Sequence, residues 1–428
     1  METRSRVRPA LSPQIDLSRP SVTADSWGRY YTAEWVGRSL IGAMAAARPR
    51  LIVELGAGRG ALATAAAKKW KHAQLITVDM DHGATRVLGS LLGGKPGTHK
   101  HHVHDALDDD LAAHIGLSLG SVDVAVCNPP YVRPRWRSSF GRILEDAGLS
   151  GALESVHDAG ADLLFIAQNL RLLKQHGKLG LILPDGLITA EKFAGVRGTL
   201  LREHRVEQVV QLPRRVFAGT EAQTYLVVLS KRAGETDTVT LRRVGQDGSV
   251  SSPLAITADL ARRRLDYDYH VSLDAIRIAR KRKRPQYLRD IATGVTRGSF
   301  SSQEIAECDW PVFHLTDFVT GTLVVPKRFS LSKRAREFLP PNARLSLPGD
   351  ILIARIGRNL HEKVAIVKHG SCTVSDCVFT LRVAQDKREA LLQYLASPRG
   401  RQLLQASAHG VGARYLSMTD LLDLEVPT

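Results

Sequence analysis

The run Asp123-Val124-Ala125-Val126-Cys127 stops at Asn128-Pro129-Pro130-Tyr131, and this junction constrains the chain more than any other stretch. The apolar residues read as a buried strand. Two successive prolines have no backbone N–H to continue a ladder and hold φ near a turn value. The strand therefore ends with Asn128 and Tyr131 at its carboxyl edge, where open α/β sheets place their ligand sites.

Upstream, Leu51-Ile52-Val53-Glu54-Leu55 leads into Gly56, Gly58 and Gly60 and then an alanine-rich helix over 61–69. Such glycines let the main chain turn tightly and let a ligand approach amides that a Cβ would shield. Their spacing differs from the dinucleotide fingerprint, whose third glycine lies one residue further on. The next strand, Gln74–Val78, ends at Asp79, where a carboxylate can accept both hydroxyl hydrogens of a ribose. Asp81 reads as a helix cap. Residues 98–105 hold His99, His101, His102 and His104; the alternation of His102 and His104 fits a short third strand, and no metal is assigned to it. Asp105 closes that strand and is expected to face the same cleft as Asp79 and Asn128.

A chain of 428 residues calls for two domains. Residues 1–24 read as a flexible arm. The first element begins near Asp25, and Gly28-Arg29-Tyr30-Tyr31-Thr32 precedes a helix from Ala33 to Ala47 that Thr32 can cap. A helix around Asp162–Lys174, a strand at Gly177–Pro184, a helix over 191–204 and strands at Val206–Leu212 and Thr224–Leu229 continue the alternation. The pattern predicts an α/β domain over 25–245, a mostly parallel sheet with helices on both faces. The polar, Arg-rich residues 246–270 read as a linker. Residues 271–428 open on a basic stretch centred on Lys281-Arg282-Lys283-Arg284 and continue as short strands with a helix near Arg388–Leu404, an α+β domain.

The net charge is +16, with 27 Lys and Arg against 19 Asp and Glu from Gln246 onward and 32 against 24 before it, so both parts are basic. That balance points to a polyanionic partner. Four scattered cysteines exclude a disulfide framework and suit a reduced cytoplasm. No apolar run is long enough to cross a membrane, so no membrane partner is expected.

The turn at Asn128 suits one kind of chemistry. A nitrogen conjugated to a ring or carbonyl is planar and a poor nucleophile. The Asn128 side-chain oxygen and the Pro129 carbonyl can accept both N–H hydrogens and favour the pyramidal nitrogen of the transition state. Tyr131 can stack on a flat substrate, with Phe217 over its other face. Such stacking contributes about 1–3 kcal/mol per base, enough to offset the few kcal/mol needed to take a base out of a duplex.

The ordered set Gly28–Thr32, Glu54–Gly60, Asp79, Asp105 and Asn128–Tyr131 resembles the gamma-class N6-adenine DNA methyltransferases, over about residues 25–230. The resemblance implies a Rossmann-like S-adenosylmethionine-dependent fold. Thr32, Glu54, Gly56 and Gly58 would then line the cofactor pocket, Asp79 would bind its ribose and Asp105 its adenine, while Asn128 and Pro129 grip the target amine between Tyr131 and Phe217. Ala33 stands where the family commonly has proline. Leu347–Gly357, Ser375–Val378, Ser407–Gly412 and Tyr415–Ser417 before Leu424–Pro427 resemble one target-recognition domain of type I specificity subunits. It implies double-stranded DNA as partner, with Lys281, Arg282, Lys283, Arg284 and Arg355 as candidate contacts, and further restriction or defence subunits. RNA or protein-glutamine methylation, and a non-catalytic DNA-binding subunit, stay open as alternatives.

Overall fold

A computed structural model describes residues 32–45, 48–93, 98–217, 222–279, 286–410 and 413–426. The expected arm over 1–24, Tyr30, Tyr31 and the Lys281–Arg284 run lie outside the described residues. The chain forms two units, Met1–Tyr267 and Asp268–Thr428.

In the first unit the order is α1 Glu34–Ala43, β1 Leu51–Leu55, α2 Ala61–Lys69, β2 Gln74–Asp79, α3 His82–Leu92, β3 His99–Val103, α4 Leu111–His114, β4 Val122–Cys127, α5 Ser139–Asp146 and α6 Ala161–Leu172. There follow β5 Leu173–Pro184, α7 Asp185–Thr189, α8 Ala194–Glu203, β6 Arg205–Gln211, β7 Thr224–Ser230, β8 Thr238–Arg243, β9 Leu254–Thr257 and α9 Ala258–Arg263. The nine strands make one sheet in the order β3-β2-β1-β4-β5-β7-β6-β8-β9. Only β7 and β9 run against the rest. The chain steps outward from β1 to β3 and returns to β4 on the other side of β1, which makes the β1/β4 crevice a topological switch point.

The period of two along each strand divides the core between the two faces. Val53, Leu55, Ala125 and Cys127 join the cluster that includes α5 and α6 residues, while Ile52, Val124 and Val126 join the cluster that includes α1 and α2 residues. Glu54 shares the side of Ile52, and the alternation carries its carboxyl to the end of β1.

Three expectations need correction. Residues 246–270 are not a linker: β9 pairs with β8, and Ile256, Ala261 and Leu265 are core residues of the first unit. Their apolar positions are too widely spaced among polar ones to show a period, because an edge strand and a short helix each bury little. α1 is capped at Ala33 rather than Thr32, with no side-chain hydrogen bond, and ends at Ala43 rather than Ala47. The helix expected near Arg388–Leu404 is two helices, Arg388–Ala396 and Pro398–Ser407; Ser397 takes an extended conformation before Pro398 and caps the second.

The second unit contains an antiparallel four-stranded sheet in the order Ala292–Arg297, Val378–Val383, Ile351–Ala354, Val364–Ile366. A smaller sheet joins Val312–Phe313, Cys372–Val374 and Leu345–Ser346. The buried Asp350 carboxylate takes a two-point contact from Arg382, at 2.9 and 2.7 Å, and the Leu347 amide at 2.9 Å, which fixes the turn before the central strand.

Candidate active site

A cavity of about 270 Å³ opens at the carboxyl ends of β1, β2 and β4. Thr32, Glu54, Gly56, Gly58, Asp79, Asp105 and Asn128 all line it, so residues separated by almost a hundred positions meet around one space.

The turn after β1 sets the first wall. Gly56, Gly58 and Gly60 have φ of 73°, 49° and 76°, a region where a side chain strains the main chain. A Cβ on Gly60 would also come within 2.6 Å of Leu88. The turn aims the Gly58 amide at Asp79 Oδ2, 2.7 Å away, and Asp79 Oδ1 accepts the Asp81 amide at 2.9 Å. Asp81 caps α3 through the Gly83 amide, as expected from its position.

Glu54 is 2% exposed, and its Oε2 has no hydrogen-bond partner. Burial pushes its carboxyl well above the usual carboxylate range, against a hydrogen bond from Ala63, and the neighbouring charge of Asp79 pushes it the same way. A buried carboxyl of this kind asks for a cation.

The second wall follows β4. Asn128 donates from Nδ2 to the Thr32 hydroxyl at 3.0 Å, and its Oδ1 accepts the Tyr131 hydroxyl at 2.9 Å. The Tyr131 hydroxyl also lies 3.2 Å from the Ile182 carbonyl. Thr32, expected to cap a helix, instead orients the Asn128 amide. On the third side, Asp105 Oδ1 accepts the Leu107 amide at 2.9 Å and Oδ2 pairs with Arg137 at 2.7 Å.

Other expected residues sit elsewhere. Phe217 is 1% exposed, belongs to the core cluster that includes Val210, Leu212 and Leu226, and does not line the cavity. The cavity wall includes Pro130 rather than Pro129 or Tyr131. Cys127 is buried, its thiol pushed up chiefly by that burial, as suits a core residue. In the second unit, Arg355 is half-buried and donates to the Asp376 carbonyl at 2.9 Å, with Arg297 paired to the Asp376 carboxylate. Sequence reasoning missed Met80, Arg137 and Phe165. Met80 follows Asp79 directly and could have been read from that position, whereas Phe165 arrives on α6 and Arg137 from the loop after the turn, with no local signal.

Comparison with known proteins decides the family. N-6 DNA methylases match residues 19–252, more than half of the chain. The chain belongs to the N-6 DNA methylase family. It is 28% identical over 118 residues to the methylase subunit of the type I restriction enzyme MpnII of Mycoplasma pneumoniae, a match covering 27% of this chain and 22% of that one. A putative type II restriction enzyme and methyltransferase of Methanocaldococcus jannaschii is 27% identical over 18% of this chain and 6% of its own. Among solved structures, the type IIG restriction endonuclease BpuSI superposes with a TM-score of 0.50 at 14% identity, over 94% of this chain and 59% of that one. The chain thus spans less than two thirds of each of these proteins, and less than a quarter of the two sequence relatives. The fold of this N-6 DNA methylase is the Rossmann-like fold of S-adenosylmethionine-dependent methyltransferases, and S-adenosylmethionine is its cofactor.

The cavity suits that cofactor on its own chemistry. The orphaned Glu54 oxygen would suit a positively charged ligand, the Asp79 carboxylate would suit a ribose, and the glycine turn leaves the main chain open to close approach. Among the described residues no helix is long and apolar enough to cross a membrane.

Proposed function

We propose that this chain transfers a methyl group to N6 of an adenine rotated out of double-stranded DNA, in a restriction-modification or related defence setting. The observation that carries the reading is Asn128, fixed by Thr32 at the end of β4 and sharing one cavity with Glu54, Asp79 and Asp105.

Bound S-adenosylmethionine supplies an electrophilic methyl group on a sulfonium. Glu54 balances its positive charge, Asp79 takes the ribose hydroxyls and Asp105 its adenine. Asn128 Oδ1 and the Pro129 carbonyl would accept the two hydrogens of the target amine and draw its lone pair out of conjugation, toward the methyl group that the cofactor would supply. The surplus amine proton leaves to solvent. Tyr131 stacks on the base, and Phe217 covers the other face if the segment that carries it rearranges. The net charge of +16 favours a nucleic-acid substrate. The second unit is the target-recognition part of this reading, with Arg355 and the Lys281–Arg284 run as contacts, and restriction or defence partner subunits complete it.

Transfer of tritiated methyl into duplex DNA, RNA and a glutamine-bearing peptide tests the proposal. Label in duplex DNA at adenine N6, lost with Asn128→Ala, supports it. Label in RNA or peptide only transfers the reading to those substrates, and cofactor binding without transfer to any of them favours a non-catalytic subunit.

A further inference from the structure

The histidine-rich third strand contributes differently from what its sequence suggests. His99 and His101 turn to the hydroxyl of Thr77 on β2, at 2.9 and 3.0 Å. His104, just past the strand, meets two residues that come later. Its Nε2 lies 2.7 Å from Asp108 Oδ2, and His114, at the end of α4, brings Nδ1 within 3.8 Å of the same oxygen. The two imidazoles stack with centroids 4.4 Å apart and planes 26° from parallel. One ligand atom from each of the three residues lies within 4.8 Å of the others, the one such group among the described residues.

We propose that His104, Asp108 and His114 form a binding site for a first-row divalent cation of the zinc class. Two imidazole nitrogens and one carboxylate oxygen suit zinc, nickel or cobalt, whereas magnesium and calcium take oxygen ligands. Zinc lies about 2.0–2.2 Å from such ligands, which places two of them a little over 3 Å apart in a tetrahedron. The separations of 2.7 and 3.8 Å lie on either side of that value, and closing the site would turn His114 Nδ1 from the Asp110 carbonyl, 3.1 Å away, toward Asp108. All three side chains are partly exposed, so an ion can reach the group from solvent.

The ligands stand on a supported frame. The His104 amide donates to the Asp79 carbonyl, which extends the β2–β3 register by one residue. Asp108 Oδ1 accepts the Asp110 amide at 3.2 Å, leaving Oδ2 toward the histidines. The Asp108 carbonyl accepts Nε2 of Gln168 at 2.6 Å, and Gln168 is buried on α6 beside Arg171. Such outer contacts hold metal ligands in place. His104 and Asp108 bracket the turn that carries Asp105, so a bound ion would clasp both ends of that turn. Binding itself does not depend on the methyltransferase reading.

The test uses the full chain without an affinity tag, dialysed against Zn²⁺ or Mg²⁺, with metal content, thermal melting and the visible absorption of a Co²⁺-loaded sample as readouts. The expected result is one Zn²⁺ per chain, no retained Mg²⁺, a raised Tm with Zn²⁺ and a Co²⁺ band of tetrahedral intensity. His114→Ala and Asp108→Asn should each weaken Zn²⁺ binding by at least about tenfold while melting normally without metal. His72→Ala, at an exposed histidine away from this group, should bind as wild type. Failure to retain Zn²⁺ above the Mg²⁺ control, or equal retention by all three variants, would overturn the proposal.

Discussion

On one side of the cavity, Asp79 has its carboxylate oxygens set by main-chain amides, 2.7 Å from Gly58 and 2.9 Å from Asp81. On the other, Asn128 is turned toward two side chains, Thr32 at 3.0 Å and Tyr131 at 2.9 Å. The first arrangement is built into the strand-to-helix turns and moves only with the backbone. The second can be remade by rotating a tyrosine. This difference matches what each wall has to receive on the proposed reading: a small cofactor that fits a preformed pocket, and one base of a long polymer that must be inserted and released.

Phe217 gives the largest test of the contrast. As a core residue at 1% exposure, its truncation in Phe217→Ala should cost about 3–5 kcal/mol of stability, read from urea denaturation. If stability holds and methyl transfer alone falls, Phe217 belongs to the remodelled wall and the core position is one of two states. Next in size, Asn128→Ala should lower the rate of methyl transfer by about 10²–10³-fold, the scale for removing a group that acts in the transition state. Cofactor affinity should barely change; a comparable loss of binding would mean that the two walls are one unit.

The cofactor wall was readable because each of its parts is local. A glycine turn after an apolar strand and an acid at a strand tip put their chemistry within a few residues of the feature that positions it. The mostly parallel sheet, too, follows from alternating strands and helices. What was not readable is long-range. Phe165 and Arg137 enter the cavity from α6 and the loop after the turn, and only the fold decides that Arg137 reaches Asp105. Thr32 looked like a helix cap because its neighbours are helical; its partner, Asn128, lies 96 residues away. β9 and α9 were taken for a linker because an edge strand needs few apolar residues.

Glu54 tests the stiff wall by pH. Burial raises its folded value above that of the unfolded chain, so the neutral acid stabilises the empty protein fully at low pH, and that contribution is lost as pH rises through the folded value. A cationic cofactor favours the carboxylate. Its binding should therefore release a proton and tighten with rising pH over the same window, by at most about tenfold per pH unit. Calorimetry in buffers of different ionisation enthalpy measures the proton directly. Glu54→Gln should abolish both slopes; an unchanged slope would assign the proton to another group.

The smallest expected effect belongs to Tyr131→Phe, and it bears most closely on the Asn128 wall. The variant keeps the ring and removes only the hydroxyl that meets Asn128 Oδ1 and the Ile182 carbonyl. A hydrogen bond of this kind contributes about 0.5–1.5 kcal/mol net. If the contact parks the Asn128 acceptor while no base is present, its loss should lower stability slightly and leave methyl transfer within about threefold, since the same hydrogen bond must break before the amine is gripped. Tyr131→Ala, which also removes stacking worth about 1–3 kcal/mol, should cost much more in transfer than in stability. Should Tyr131→Phe be as slow as Asn128→Ala, the hydroxyl holds Asn128 in its working position, and the second wall is as preformed as the first.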